Sequence, residues 1–175
     1  MIYAFEFKTK TLSLDITVSD KYVEEIRIKN SDSKPFNYKD DIRLLSENDC
    51  SRLRHLSNLI NLLDNYFSRK STDFCEIPVN FAPYSYFSEG ILKTLRNVKY
   101  GTTMSYKELA RTAGYDERYS RACATALSIN KTPIIIPCHR IIYSDGKPGG
   151  YSSGGGISLK IRLLAIEQNT NQLIA

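Results

Sequence analysis

SYKELARTAGYDERYSRACATALSIN, residues 105–130, runs directly into KTPIIIPCHRII, residues 131–142, and the fold of the second half follows from how this stretch is read. Ser105-Tyr106-Lys107-Glu108 has the S-x-x-E spacing of a capping box, in which serine and glutamate satisfy backbone N–H groups of a first helical turn, so a helix starts at Ser105. Gly114 supplies its stop, since glycine takes the left-handed backbone that closes a helix. A second helix is expected from about Tyr119 to Ile129, where Ala122, Ala124 and Ala126 allow close approach to another surface. Two short helices about a turn suggest a helix-turn-helix. The β-branched run 134–136, held between Pro133 and Pro137, reads as a buried extended segment that carries Cys138 and His139 into the interior.

Downstream, six of the nine glycines fall within 146–156, and so glycine-rich a loop is a candidate ligand wall. The phosphate-loop spacing G-x-x-x-x-G-K-[ST] is absent from it. Residues 158–167 close the chain's second half as a helix with Leu159, Leu163 and Ile166 inward. Upstream, Phe87, Ile91, Leu95 and Val98 line one face of another helix. The first half reads differently. Residues 2–7, 12–18 and 22–28 alternate with period two and predict a β-meander with one buried face. Leu53, Leu56, Ile60, Leu63 and Phe67 then recur at helical spacing between Asp49 and Arg69, which predicts an amphipathic helix on the sheet. Residues 74–81 read as a strand or extended connector, and the stretch around Pro83 as a linker, which places a boundary near residue 84. The expected fold class is α+β, with an N-terminal structural domain at 1–84 and a mostly helical C-terminal domain at 85–175.

The 175 residues suffice for one ordinary domain or two small ones, and 42% hydrophobic with 25% charged residues is a globular composition. No apolar run reaches membrane-span length, and MIYAFEFKTK lacks the basic start and apolar middle of a secretory leader. The protein is therefore expected to be soluble and intracellular: cytoplasmic, or nuclear in a eukaryote. Cys50, Cys75, Cys123 and Cys138 show neither C-x-x-C nor regular spacing, so neither a disulfide framework nor a metal site is suggested. The net charge of +5 is divided unequally. Residues 1–84 hold 12 Lys+Arg against 13 Asp+Glu, and residues 85–175 hold 12 against 6. That asymmetry is the footprint of a polyanion-binding second half, or simply of a solvated basic surface.

Cys138 beside His139 raises the question of thiol chemistry. A buried thiolate needs a base or a positive charge nearby. Adjacent residues of an extended chain point to opposite sides, so a bridging water is the simpler link between this pair unless the backbone turns. A carboxylate would then fix the imidazole tautomer. Three readings stay open on the residues alone: a core cysteine in a helix-turn-helix regulator, a Cys-His hydrolase, and a thiol acceptor. His55, on the amphipathic helix, reads as a surface histidine.

The order SYKELA at 105–110, RACATALSIN at 121–130, IPCHRII at 136–142, GGYSSGG at 149–155 and LLAIE at 163–167 resembles the O6-alkylguanine-DNA alkyltransferases, over residues 85–167. The resemblance implies direct-reversal DNA repair. The protein would flip O6-alkylguanine, with O4-alkylthymine as a further substrate, out of double-stranded DNA and move the alkyl group irreversibly to its own cysteine. It further implies an RNase H-like roll in the first half, a winged-helix-like second half, a monomer, and no cofactor. Residue by residue, it puts Cys138 at the acceptor, His139 at the base acting through water, Glu167 at the carboxylate that orients it, and Asn130 at the tie between recognition helix and active-site segment. Tyr106 takes the place of the residue that assists rotation and protonates the leaving guanine, and Arg121 that of the arginine entering the vacated stack. Ala122, Ser128 and Arg140 fall on the DNA-binding side, and Pro137, Tyr151, Ser152 and Ser153 on the substrate pocket. The chain departs from the pattern at Lys131 after Asn130, at Cys123, in a longer SSGGG loop, and in one extra residue between Gly114 and Arg121 that makes Arg118 a rival for the inserted arginine. A relative that only binds lesions would carry another residue, often tryptophan, at position 138.

Overall fold

Strand-forming alternation in the first thirty residues builds three antiparallel strands in a computed structural model that describes residues 1–30, 43–45 and 54–168. Strands β1 (Ile2–Lys8), β2 (Leu12–Ser19) and β3 (Val23–Asn30) form a meander, and a two-residue strand β4 (Arg43–Leu44) adds to β1 in parallel, giving the order β3-β2-β1-β4. The parallel edge was not legible in the alternation. Nor does the central strand bury only one face. Leu12, Leu14, Ile16 and Val18 are buried, but so are Ser13 and Asp15 between them. Long side chains from the flanking strands meet these short polar groups: Ser13 donates to Glu6, and Lys29 pairs with Asp15 at 2.7 Å.

Helix α1 (Arg54–Phe67) buries Leu56, Leu59, Leu63 and Tyr66, spaced by three and four as one helical face requires. Ile60 and Phe67, expected inward, lie half-buried at its edge, and Asp49 to Leu53 fall outside the described residues, as does Cys50. Each fully buried leucine contributes roughly 1.5–3 kcal/mol over its exposed state. The connector at 74–81 is no regular strand, but Val23 donates to the Pro78 carbonyl and Asn80 to that of Val23, which seats it beside β3. Arg96 then donates to the carbonyls of Phe74, Cys75 and Ile77.

Helix α2 (Tyr86–Arg96) starts at an N-cap, Ser85, and buries Ser88, Ile91, Leu92 and Leu95. Helix α3 (Tyr106–Thr112) has the expected capping box at Ser105 and Glu108, and Gly114 beyond it takes φ +84°. A 3-10 turn, Glu117–Tyr119, leads into helix α4 (Ser120–Ser128). The run 134–136 is buried as expected but not extended. Ile134 has φ +76° and Ile136 donates to the Thr132 carbonyl, so the chain turns between its two prolines. A second 3-10 turn, Cys138–Arg140, follows. Strand β6 (Ile141–Ile142) leaves it and pairs in parallel with β5 (Met104–Ser105), a contact between segments 36 residues apart that local pattern does not reveal. Helix α5 (Gly156–Gln168) buries Leu159, Leu163 and Leu164 together with two ionisable side chains, Lys160 and Glu167, whereas Ile166 is half-buried.

One continuous apolar core runs from Tyr3 to Leu163 through both halves. Hydrogen bonds at Lys131 join them: the Ile26 N–H donates to the Lys131 carbonyl, and the Lys131 N–H to the Tyr84 hydroxyl. Gly154 lies so close to β3 that an added Cβ would come within 2.8 Å of the Ile28 carbonyl oxygen. Among the described residues no helix is long and apolar enough to cross a membrane.

Candidate active site

The turn at Cys138–Arg140 splits three consecutive side chains between a cavity and the interior. Cys138 faces a cavity of about 630 Å³, while His139 and Arg140 point into the protein. Asn130, just past α4, holds this arrangement. Its Nδ2 donates to the Ile136 carbonyl at 2.8 Å and to Cys138 Sγ at 3.2 Å, and its Oδ1 accepts from the Thr132 N–H at 3.0 Å. The recognition of one side chain by three points of the turn explains how a helix end fixes a sulfur eight residues away.

Behind the sulfur, His139 Nε2 lies 2.6 Å from Glu167 Oε1. A carboxylate only accepts, so Nε2 carries the imidazole proton and Nδ1 is left as a base. Nδ1 is buried and has no protein partner among the described residues. Glu167 also accepts from Arg140, Nε at 2.9 Å and Nη2 at 3.0 Å, and from the Gly101 N–H at 3.1 Å. Burial opposes the charge on Glu167, yet the hydrogen bonds and charges of its partners outweigh it and bring the pKa to about 2. His139 does not supply that charge: its own burial lowers its pKa despite Glu167, and it stays neutral at physiological pH. Arg140 is the balancing cation.

That assignment corrects one expectation. Arg140 was expected on the DNA-binding side, but it is 4% exposed, shares Glu167 with His139, donates to the Val98 carbonyl and sits over the Tyr100 ring. A guanidinium so engaged is not available to a phosphate.

Cys138 rests as a thiol. Burial raises its pKa, and the Asn130 hydrogen bond and the Lys160 charge pull against that without cancelling it. Lys160 is itself buried, its ammonium donates to the Ile141 carbonyl, and burial brings its pKa to about 8. The Tyr151 hydroxyl is buried facing the sulfur and Ser153, without closing a hydrogen bond of good geometry.

Tyr106, Arg121, Ser128, Tyr151 and Ser152 line the cavity. Ala122 is half-buried on α4 without lining the cavity, Pro137 is buried without lining it, and Ser153 lines a neighbouring groove with Asn130 and Ser128. Arg118 points away into solvent, 79% exposed and paired with Asp116. Three participants escaped the sequence reading: Lys160, Tyr66 and Tyr143. Lys160 and Glu167 stand seven residues apart, two turns, in register with Leu163 and Leu164, and that spacing could have marked both as buried. Tyr143, whose ring centroid lies 5.7 Å from that of Tyr106 on the cavity rim, carried no local signal.

Fold and site together define a class: proteins that present one cysteine in a pocket walled by two short helices, with a buried histidine and carboxylate behind it. A family model described as "6-O-methylguanine DNA methyltransferase, DNA binding domain" matches residues 86–169. A methylated-DNA--protein-cysteine methyltransferase of Sulfurisphaera tokodaii is 37% identical over 124 residues, which cover 68% of this chain and 75% of that protein. Its namesake in Metallosphaera sedula is 41% identical over 109 residues, 62% of this chain and 65% of that one, so the match spans just under two thirds of that relative. The crystal structure of Mycobacterium tuberculosis O6-methylguanine methyltransferase superposes with a TM-score of 0.76 at 25% identity, over 97% of this chain and 94% of that one. The chain belongs to the methylated-DNA–protein-cysteine methyltransferase family.

Proposed function

We propose that the protein repairs DNA by direct reversal, moving the alkyl group of O6-alkylguanine from duplex DNA to Cys138 in a single turnover. The observation that carries this reading is the thiol on the pocket floor backed by a neutral histidine with a bare Nδ1. His139 takes the thiol proton through a bridging water, and Glu167, kept ionised and in place by Arg140, stabilises the resulting imidazolium. Sγ attacks the alkyl carbon, the C–O6 bond breaks, and its electron pair leaves on guanine. Tyr106, whose hydroxyl burial keeps protonated, donates a proton to that base. The imidazolium then returns its proton through water to the Tyr106 phenolate, so the balance is thiol plus O6-alkylguanine giving thioether plus guanine. A thioether is a very poor leaving group, so each molecule acts once.

The alkyl carbon cannot be reached inside stacked DNA, so the base has to be extruded at a cost of a few kcal/mol. Arg121, exposed on the first turn of α4 and lining the cavity mouth, is the side chain placed to fill the gap; its position favours it over the outward-facing Arg118. Ala122 and Ser128 put the same helix against the groove, and Asn130 ties it to the sulfur. Tyr151 and Ser152 contact the extruded base, with Pro137 and Ser153 shaping the turn and loop behind them. O4-alkylthymine is a second substrate, the protein acts as a monomer, and its place is the cytoplasm, or the nucleus in a eukaryote. The same reading divides the chain at residue 84 into an RNase H-like roll and a winged-helix-like domain.

The test is intact mass after exposure to a duplex holding O6-methylguanine. One methyl group per protein, mapped to Cys138, with Cys138→Ala binding the duplex but gaining no mass, is the expected result. Alkylation at Cys50, Cys75 or Cys123, or turnover beyond one equivalent as a hydrolase would show, overturns it.

A further inference from the structure

Helix α1 belongs to the half of the chain that carries no proposed catalytic group, yet its last turn reaches the relay behind Cys138. The Tyr66 side chain is fully buried, and its hydroxyl lies 3.4 Å from His139 Nε2. Its ring meets the imidazole edge-on at 6.4 Å and the Tyr100 ring edge-on at 5.9 Å, while Phe67 and Phe74 pack on its other sides. A tyrosine in an apolar core normally finds a partner for its hydroxyl, and here the polar atoms on offer are those of the His139–Glu167 pair. Nε2 already gives its proton to Glu167, so the phenol oxygen can only be a second, longer acceptor for it, and the phenol's own proton is left for the carboxylate.

We propose that Tyr66 is a positioning residue of the proposed transfer reaction: its hydroxyl braces the His139–Glu167 hydrogen bond from the first half of the chain and keeps His139 Nδ1 as the free base. The idea rests on the transfer reading for its kinetic arm only. The groups facing His139 are Cys138 and Arg140 on its own turn, Lys160 and Glu167 on α5, and Tyr66 on α1, with Tyr100 joining through Arg140. Burial and the neighbouring Glu167 charge both hold the Tyr66 hydroxyl protonated, so it acts as a neutral donor throughout the working pH range. Removing it takes a donor from the carboxylate, which then holds an imidazolium more firmly. The apparent pKa of His139 rises.

The experiment compares wild type with Tyr66→Phe, which keeps the ring and loses only the hydroxyl. The single-turnover rate on an O6-methylguanine duplex should fall about three- to tenfold near neutral pH, the equivalent of one hydrogen bond. The acid limb of its pH profile should move upward by roughly half a unit, with duplex affinity unchanged. Long-range ¹H–¹⁵N spectra of the free protein supply a readout independent of transfer: the His139 Nε2 and Nδ1 shifts should move in Tyr66→Phe. Were that variant to fold poorly, wild type alone still decides, because a slowly exchanging Tyr66 hydroxyl proton should show an Overhauser contact with the His139 ring. Wild type that transfers, beside a Tyr66→Phe protein with the same pH profile and the same nitrogen shifts, reduces Tyr66 to core packing. Wild type without that Overhauser contact does so too. A wild type that transfers nothing sinks the transfer reading instead, while the nitrogen shifts still judge Tyr66.

Discussion

Two buried regions of this chain are made of different material. On the sheet side of the core, Leu56, Leu59 and Leu63 of α1 are buried in one cluster with Leu12, Leu14, Ile16 and Val18 of β2, hydrocarbon with hardly a polar atom to satisfy. Behind the pocket, α5 and the Cys138–Arg140 turn bury a carboxylate, a guanidinium, an ammonium and an imidazole within a few residues. The first region gains stability with every methylene. The second must satisfy each charge merely to break even, since desolvating an ion pair costs about as much as its attraction returns. What it gains is a histidine that is neutral, oriented and shielded from bulk water. The oriented polar cluster and most of the hydrocarbon burial are drawn from separate parts of one continuous core.

Substitutions can break that contrast. Arg140→Met should be the most damaging single change, about 3–5 kcal/mol in urea unfolding, because it strands Glu167 as a buried charge without its cation. Adding Glu167→Gln to it should recover a good part of the loss; a double variant no more stable than Arg140→Met would show that the guanidinium acts through Val98 and Tyr100 instead. Leu63→Ala, on the hydrocarbon side, should cost about 2–5 kcal/mol through the cavity it leaves. The transfer rate of the molecules that remain folded should not change, and a slowed rate would mean that the sheet-side core and the relay are coupled beyond Tyr66.

Acid sharpens the contrast without mutation. His139 and Glu167 both have folded pKa values below their ordinary ones, Glu167 at about 2 against 4.5. The unfolded chain therefore binds more protons at these two groups, and stability must fall as the pH drops from the ordinary histidine range toward 2. Melting temperature followed across that window should show the slope in wild type and a shallower one in His139→Gln/Glu167→Gln. Equal slopes would place the acid sensitivity elsewhere. The smallest expected effect is that of Ser105→Ala, which removes half of a capping box at the start of α3 and should cost about 1 kcal/mol. A loss several times larger, seen in denaturant midpoints, would mean that β5 and the cap fail together.

What the sequence disclosed follows the same division. The three strands and the Ser105 cap were legible because their causes are local: alternation within eight residues, and a serine three positions before a glutamate. The helix under the sheet was placed correctly, but its inward face was shifted toward Ile60 and Phe67, since a broad apolar stripe does not fix which residue points straight down. Cys138 with His139 drew notice as a dipeptide, whereas Glu167 and Asn130 came from the family resemblance, with the histidine's partner 28 residues away. Arg140 was misread because a charged residue beside a DNA-facing site looks like a phosphate ligand until its burial is seen. Tyr66 lies 73 residues from His139 and looks like any apolar helix residue.

Part of the seam between the halves is written in main-chain atoms: the Ile26 N–H on the Lys131 carbonyl, and the Ile28 carbonyl against Gly154. Peptide groups are the same in every residue but proline. A partner recognised through them tolerates nearly any side chain, so these points of the seam survive substitutions that the Tyr66 and Arg96 side-chain contacts do not. Gly154 cannot drift, because no other residue leaves room for the Ile28 oxygen. In lineages descended from this chain, divergence should therefore run fastest on the strand faces that look away from this seam and slowest at that one glycine.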